Sequence, residues 1–256
     1  MASSRNRRAH PTEQHWLNRE WGGMPGYGFV LSGLFFVGVA GAWVWEDAQP
    51  EPQRSWTPPA TVEVDSDESA SRGLRVAYLG DSYTVGTGAT DGDLGWAAVL
   101  AYSLGWNAER MAVGGSGYVN GGTSNSRYID RITQVTDWSP DLIVVAGGRN
   151  DSWFPGEVEG AAFATFVALG QENPDAEIVV LAPWWDDDET PADYSAVRTE
   201  IEHAAARADA TYLETGEPLN GHPELIAADG VHPNDAGHAV LAAAVEHALR
   251  SAGIVE

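Results

Sequence analysis

Gly80-Asp81-Ser82 closes an apolar run, Leu74-Arg75-Val76-Ala77-Tyr78-Leu79, and Asp229-Gly230-Val231-His232-Pro233 lies near the far end of the chain. A serine hydroxyl is a weak nucleophile until a base takes its proton, and an imidazole serves better as that base when a carboxylate holds its ring. The three groups occur in the order Ser, Asp, His, with Asp229 only three positions before His232. A serine at the exit of a strand stands over the edge of a sheet, and a short Asp-x-x-His loop can carry an oriented base to it. The chemistry implied is nucleophilic attack by the serine hydroxyl, and a hydrolytic enzyme is the leading expectation.

Residues so far apart in sequence need a scaffold that gathers them. From Leu74 onward, short β-branched runs alternate with helical patterns. The predicted strands are Leu74–Leu79, Glu109–Val113, Leu142–Ala146, Glu177–Leu181 and Thr211–Leu213, each read as buried on both faces. The predicted helices are Leu94–Leu104, Tyr128–Thr136, Val158–Gly170, Ala192–Ala208 and Asp235–Ser251. The last follows Asn234, a good N-cap, and aligns Leu241, Val245, Ala248 and Leu249 on one stripe. This alternation predicts an α/β fold, a three-layer α/β/α sandwich on a flavodoxin-like parallel five-stranded sheet, with ligands bound beyond the carboxyl ends of the strands. Ser82, Gly114-Gly115-Ser116-Gly117 and Gly147-Gly148-Arg149-Asn150-Asp151 each follow a predicted strand, and Asp229 and His232 precede the final helix. All four segments are expected at one edge.

With those segments in place, the chain resembles the SGNH (GDSL-type) hydrolase family, whose four blocks are named for Ser, Gly, Asn and His. Gly80-Asp81-Ser82 matches the first block, Gly115 the second, Gly148-x-Asn150-Asp151 the third and Asp229-x-x-His232 the last. The resemblance runs from about Leu74 to the C-terminus, and Gly95–Ala101 is similar to the family's first helix. It implies Ser82 as nucleophile, His232 as base and Asp229 as its orienting acid. It also implies an oxyanion hole made of the Ser82 and Gly115 N–H groups and the Asn150 side-chain amide, with no metal or cofactor. Two points depart from the pattern. Tyr83 stands where the family usually has Leu, which is expected to change packing or the pocket rim. The second block is crowded with glycine, so Gly114 and Gly117 compete with Gly115 as the donor.

Composition narrows the setting. The 256 residues carry a formal net charge of −23, and all 14 basic residues are Arg. Such an acidic body repels phosphate backbones, which argues against nucleic-acid partners. No cysteine occurs, so a thiolate nucleophile or metal site is excluded. Gly-x-Ser-x-Gly, Gly-x-x-x-x-Gly-Lys and Gly-x-Gly-x-x-Gly are all missing, which argues against the α/β-hydrolase and nucleotide-binding alternatives.

Residues 1–27 are basic and polar, 28–45 almost wholly apolar, 46–73 an acidic, Pro-rich linker, and 74–256 the hydrolase domain. A run of about 17–25 apolar residues can span a bilayer. Arg5, Arg7, Arg8 and Arg19 precede it while Glu46, Asp47 and Glu51 follow, so the expectation is a single-pass anchor with the catalytic domain outside the cytoplasm. Signal cleavage near Ala40-Gly41-Ala42, giving a secreted protein, is the competing reading.

His203, His222, His238 and His247 read as surface groups, and Asp186-Asp187-Asp188-Glu189 as a solvated charge run rather than a calcium loop. Trp153, Phe154, Trp184 and Trp185 follow the third and fourth strands and are candidates to line an acyl or sugar pocket. The expected function is an extracytoplasmic serine esterase acting on small-molecule or glycan esters, with short acyl groups or acetylated carbohydrate favoured. An O-acyltransferase acting on cell-surface sugars and a non-catalytic carbohydrate-binding module are the alternatives.

Overall fold

A computed structural model describes residues 73–256 and, before them, a pair of two-residue strands, Glu20–Trp21 antiparallel to Met24–Pro25. These fall in separate units of the chain, Met1–Val64 and Asp65–Glu256, and the chemistry-bearing segments all lie in the second. The expected membrane run, 28–45, lies outside the described residues, as does the linker apart from Gly73. Among the described residues no helix is long and apolar enough to cross a membrane.

Five parallel strands form the sheet: β1 Arg75–Gly80, β2 Asn107–Ala112, β3 Leu142–Ala146, β4 Glu177–Leu181 and β5 Thr211–Leu213. Their order is β2-β1-β3-β4-β5. The chain steps outward from β1 to β2 and then returns to the other side of β1, so the direction of winding reverses beside β1. In open α/β sheets that reversal opens a crevice at the carboxyl ends of the strands.

The helices are α1 Ser82–Val85, α2 Trp96–Leu104, α3 Ile132–Trp138, α4 Val158–Glu172, α5 Ala192–Arg207 and α6 Asp235–Ser251. Alternation along the strands builds two cores. Ala77, Leu79, Ile143, Val145 and Val180 pack against α3, α4 and α5, while Val76, Tyr78, Val144 and Leu181 pack against α2 and α6. This is the expected three-layer sandwich. Asn234 caps α6 by accepting the N–H groups of Ala236 (3.0 Å) and Gly237 (3.1 Å), as its position predicts.

Three local expectations differ. Strand β2 starts two residues earlier than the apolar run suggests, because it is an edge strand: Asn107 and Glu109 are exposed and its pairing with β1 decides its extent. The segment expected to open a helix at Tyr128 is a 3-10 turn, Tyr128–Arg131, before α3 begins. His238 is fully buried rather than on the surface. It falls on the same helical stripe as Leu241, Ala242 and Val245, which is the signal that places it inside. Its Nδ1 accepts the Trp96 N–H at 3.3 Å and its Nε2 lies 3.0 Å from the Thr87 carbonyl oxygen, so the ring ties α6 to the start of α2. Burial holds the His238 pKa below its ordinary value, against the Thr87 hydrogen bond.

Candidate active site

Strand β1 delivers its chain directly into α1, a single four-residue turn whose first residue is Ser82. Asp81 caps this turn, accepting the Tyr83 N–H at 3.0 Å. As the first helical residue, Ser82 keeps an N–H with no intrahelical partner. Its Oγ lies 2.9 Å from His232 Nε2, and His232 Nδ1 lies 2.6 Å from Asp229 Oδ2. The second Asp229 oxygen accepts the backbone N–H groups of Val231 (2.9 Å) and His232 (3.0 Å), which fixes the carboxylate in a tight loop. Burial raises the Asp229 pKa, but these two N–H groups and the imidazole outweigh it, and the carboxyl sits below its ordinary value. Asp229 is therefore an anion at neutral pH, placed to keep the Nδ1–H tautomer that leaves Nε2 facing Ser82.

Two features press Ser82 and His232 together. The Tyr83 hydroxyl donates to the Val231 carbonyl at 2.6 Å, so α1 grips the Asp-x-x-His loop. The residue that departs from the family pattern is thus a brace as well as a packing group. Gly88 has φ +93°, and a Cβ there would lie 2.9 Å from His232 Cβ, closer than real side chains approach. Only glycine lets that loop lie against the histidine.

The glycine-rich segment after β2 and the turn after β3 meet beside Ser82. The Gly117 N–H donates to the Asn120 carbonyl at 2.7 Å and the Ser116 N–H to Val113 at 3.3 Å. Those two are engaged, which leaves Gly114 and Gly115 as the free backbone donors of the second block. Asn150 donates one amide hydrogen to the Ser116 carbonyl at 2.8 Å and has a second to offer. Asp151 is fully buried, and its carboxylate accepts the consecutive N–H groups of Tyr118 (2.8 Å), Val119 (3.0 Å) and Asn120 (2.9 Å). It braces the loop, as its position beside Asn150 suggests, and takes no part facing the serine. Burial still raises its pKa above the ordinary carboxylate value, against the three N–H groups. Asn120 adds a bond from its side chain to the Asn150 carbonyl at 3.0 Å.

Asp81, Tyr83, Arg149 and Trp184 border a small cavity next to the serine turn, with room for about one water molecule. Of the aromatic candidates, Trp184 is core, edge-on to Trp96 and stacked on Tyr83. Trp185 carries the Arg149 guanidinium 3.8 Å above its ring. Trp153 is 84% exposed, free to meet a ligand. The acidic run is solvated only in part: Asp186 is buried and paired with Arg149 at 2.6 Å. Among the described residues no cluster of His and carboxylate groups could hold a metal ion.

Burial raises the Asp81 carboxyl to about 7, with the Tyr83 N–H opposing it. Between about 3.8, its ordinary value, and 7 the folded chain holds a proton that the unfolded chain has released. Stability from this group therefore grows as pH falls from 7 to 4, and the cost of the buried anion is fully present above 7. Asp81→Asn keeps the capping oxygen and removes the charge. It is expected to be more stable than the wild type at pH 8, by up to about 4 kcal/mol, with the difference shrinking toward pH 4. Urea melts at the two pH values check this, and a constant difference would contradict it.

Comparison with known proteins agrees with the architecture. The chain matches the GDSL-like lipase/acylhydrolase family over residues 78–240. It is 34% identical over 184 residues to the GDSL lipase Rv0518 of Mycobacterium tuberculosis, covering 65% of this chain and 78% of that protein. Among solved structures, a family two carbohydrate esterase from Clostridium thermocellum superposes with a TM-score of 0.58 at 18% identity, over 70% of this chain and 65% of that one. The salicylyl-acyltransferase SsfX3 of a tetracycline biosynthetic pathway gives 0.58 at 20% identity, over 73% of this chain and 56% of that one. Those two likenesses speak for the fold. The family match and the identity to Rv0518 say more: the chain belongs to the GDSL-like lipase/acylhydrolase family.

Proposed function

We propose that this protein is a serine esterase that cleaves short-chain carboxylic esters through an acyl-serine intermediate. The observation that carries the reading is the continuous hydrogen-bonded line from Ser82 Oγ through His232 to Asp229, at 2.9 and 2.6 Å. In this mechanism His232 Nε2 takes the Ser82 proton as Oγ attacks the acyl carbon, and the new imidazolium is stabilised by Asp229. The oxyanion is held by the Ser82 N–H, the Gly115 N–H and the second hydrogen of the Asn150 amide. His232 then protonates the departing alcohol, and a water activated by the same ring releases the acid.

The loops after β3 and β4 are short, residues 147–157 and 182–191, which favours a short acyl group, and exposed Trp153 offers a flat apolar face to a sugar ring. The carbohydrate esterase named above has the same fold, which is in keeping with a carbohydrate ester as the substrate class, the acetylated kind being our reading. An extracytoplasmic, membrane-tethered location fits the charge asymmetry around residues 28–45. The same site would serve an acyltransferase if a sugar hydroxyl reached the acyl-enzyme before water, and the acyltransferase relative keeps that reading open. A purely binding module would need no nucleophile hydrogen-bonded to an oriented base.

The test is turnover of p-nitrophenyl esters from acetate to palmitate by the full chain. The expected profile peaks at two to four carbons and falls by about tenfold or more at long chains. A profile that rises with chain length would contradict the short-acyl reading.

A further inference from the structure

Arg131, at the end of the 3-10 turn before α3, is 2% exposed. Its Nη2 donates to Ser116 Oγ at 3.1 Å, while Nε and Nη1 are buried without a protein partner. The guanidinium also lies over the Tyr128 ring, 5.1 Å from its centre. A buried cation with so few partners weakens a fold, and an apolar side chain of similar volume would be tolerated as well or better. What Arg131 does provide is direction. Ser116 is itself fully buried. Its Oγ accepts from Arg131 and donates to the Val113 carbonyl at 2.7 Å, and its own carbonyl accepts the Asn150 amide at 2.8 Å. One residue thus links the exit of β2, the segment carrying Gly115 and the Asn150 side chain, and the guanidinium sits behind it.

We propose that Arg131 is a positioning residue, which sets the Asn150 amide and the Gly115 segment through Ser116 for oxyanion binding. The inference rests on the esterase reading for its functional half. Its structural half, the ordering of the Val113–Gly117 segment, stands independently.

Both halves are read in the full chain with Arg131→Met, Arg131→Lys and Ser116→Ala. The Met variant keeps the volume and loses the charge, Lys keeps the charge, and Ser116→Ala cuts the link while leaving the guanidinium. With p-nitrophenyl acetate, Arg131→Met is expected to lower kcat about tenfold with KM within about threefold, and Arg131→Lys to regain part of the loss. Because part of the effect of Arg131 runs through Asn150, Arg131→Met is expected to cost less in the Asn150→Ala background than the roughly tenfold it costs in the wild type, the remainder being the share carried by the Gly115 segment. Amide hydrogen exchange across 113–118 is expected to quicken about tenfold in Arg131→Met and Ser116→Ala, with β1 and β3 unchanged.

Wild-type kcat and unchanged exchange in Arg131→Met and Ser116→Ala would overturn the proposal. Losses that multiply fully in the double variant would overturn the route through Asn150. An inactive wild type whose loop still loosens in these variants would remove the esterase reading and uphold the positioning.

Discussion

Replacing Ser82 with alanine is expected to lower ester hydrolysis by a factor on the order of 10,000 or more, with the fold intact. The substitution removes the attacking oxygen and nothing that holds the turn. The cap on α1 comes from Asp81 to the Tyr83 N–H, and the grip on the histidine loop comes from the Tyr83 hydroxyl to Val231. Circular dichroism and thermal melting are therefore expected to match the wild type while turnover disappears. The geometry makes the effect specific to that atom, because Ser82 Oγ is the group 2.9 Å from His232 Nε2. Residual turnover within about tenfold of the wild type would mean that another group attacks the ester.

The second large effect is expected at Asn150. Its amide gives one hydrogen to Ser116 and has the other for an oxyanion, so Asn150→Ala removes a donor that matters most when negative charge develops. The expected loss is about 100- to 1,000-fold in kcat with KM nearly unchanged. The same substitution also leaves the buried Ser116 carbonyl without this donor, which costs about 1–3 kcal/mol of stability. The two consequences separate cleanly: a melting shift reports the Ser116 bond, and kcat at a temperature well below the melt reports the oxyanion donor. A large rise in KM with unchanged kcat would contradict the role, because it would place Asn150 on the ground-state substrate.

Much of this site is legible in sequence because the fold gathers strand ends. Ser82, Gly115 and Asn150 each follow a strand, and three of the five strands, Leu142–Ala146, Glu177–Leu181 and Thr211–Leu213, occupy the residues their apolar runs predict. A motif at the exit of a buried strand has few places to go. The edge strand β2 is harder to delimit, since Asn107 and Glu109 are exposed, Met111 alone is buried, and the apolar signal is diluted. The supports behind the motifs carried no local signal. Arg131 reaches Ser116, Asn120 reaches Asn150, and Tyr83 reaches Val231 across loops whose conformation sets the contact. Asp186 shows the same limit, since its charge run looks solvated until Arg149, stacked on Trp185, pairs with its first residue. His238 differs: its spacing to Leu241 and Ala242 marked it as inward-facing, and only its polarity argued otherwise.

The most direct test of the account is covalent. The full chain is incubated with a fluorophosphonate, which reacts with activated serine hydroxyls, and the adduct is mapped by peptide mass spectrometry beside His232→Ala. The account predicts one phosphonate on Ser82 in the wild type and none in the histidine variant, since the hydroxyl is reactive only with its base in place. A folded wild type that carries no adduct, or carries it on a different serine, would contradict the claim that Ser82 is the nucleophile.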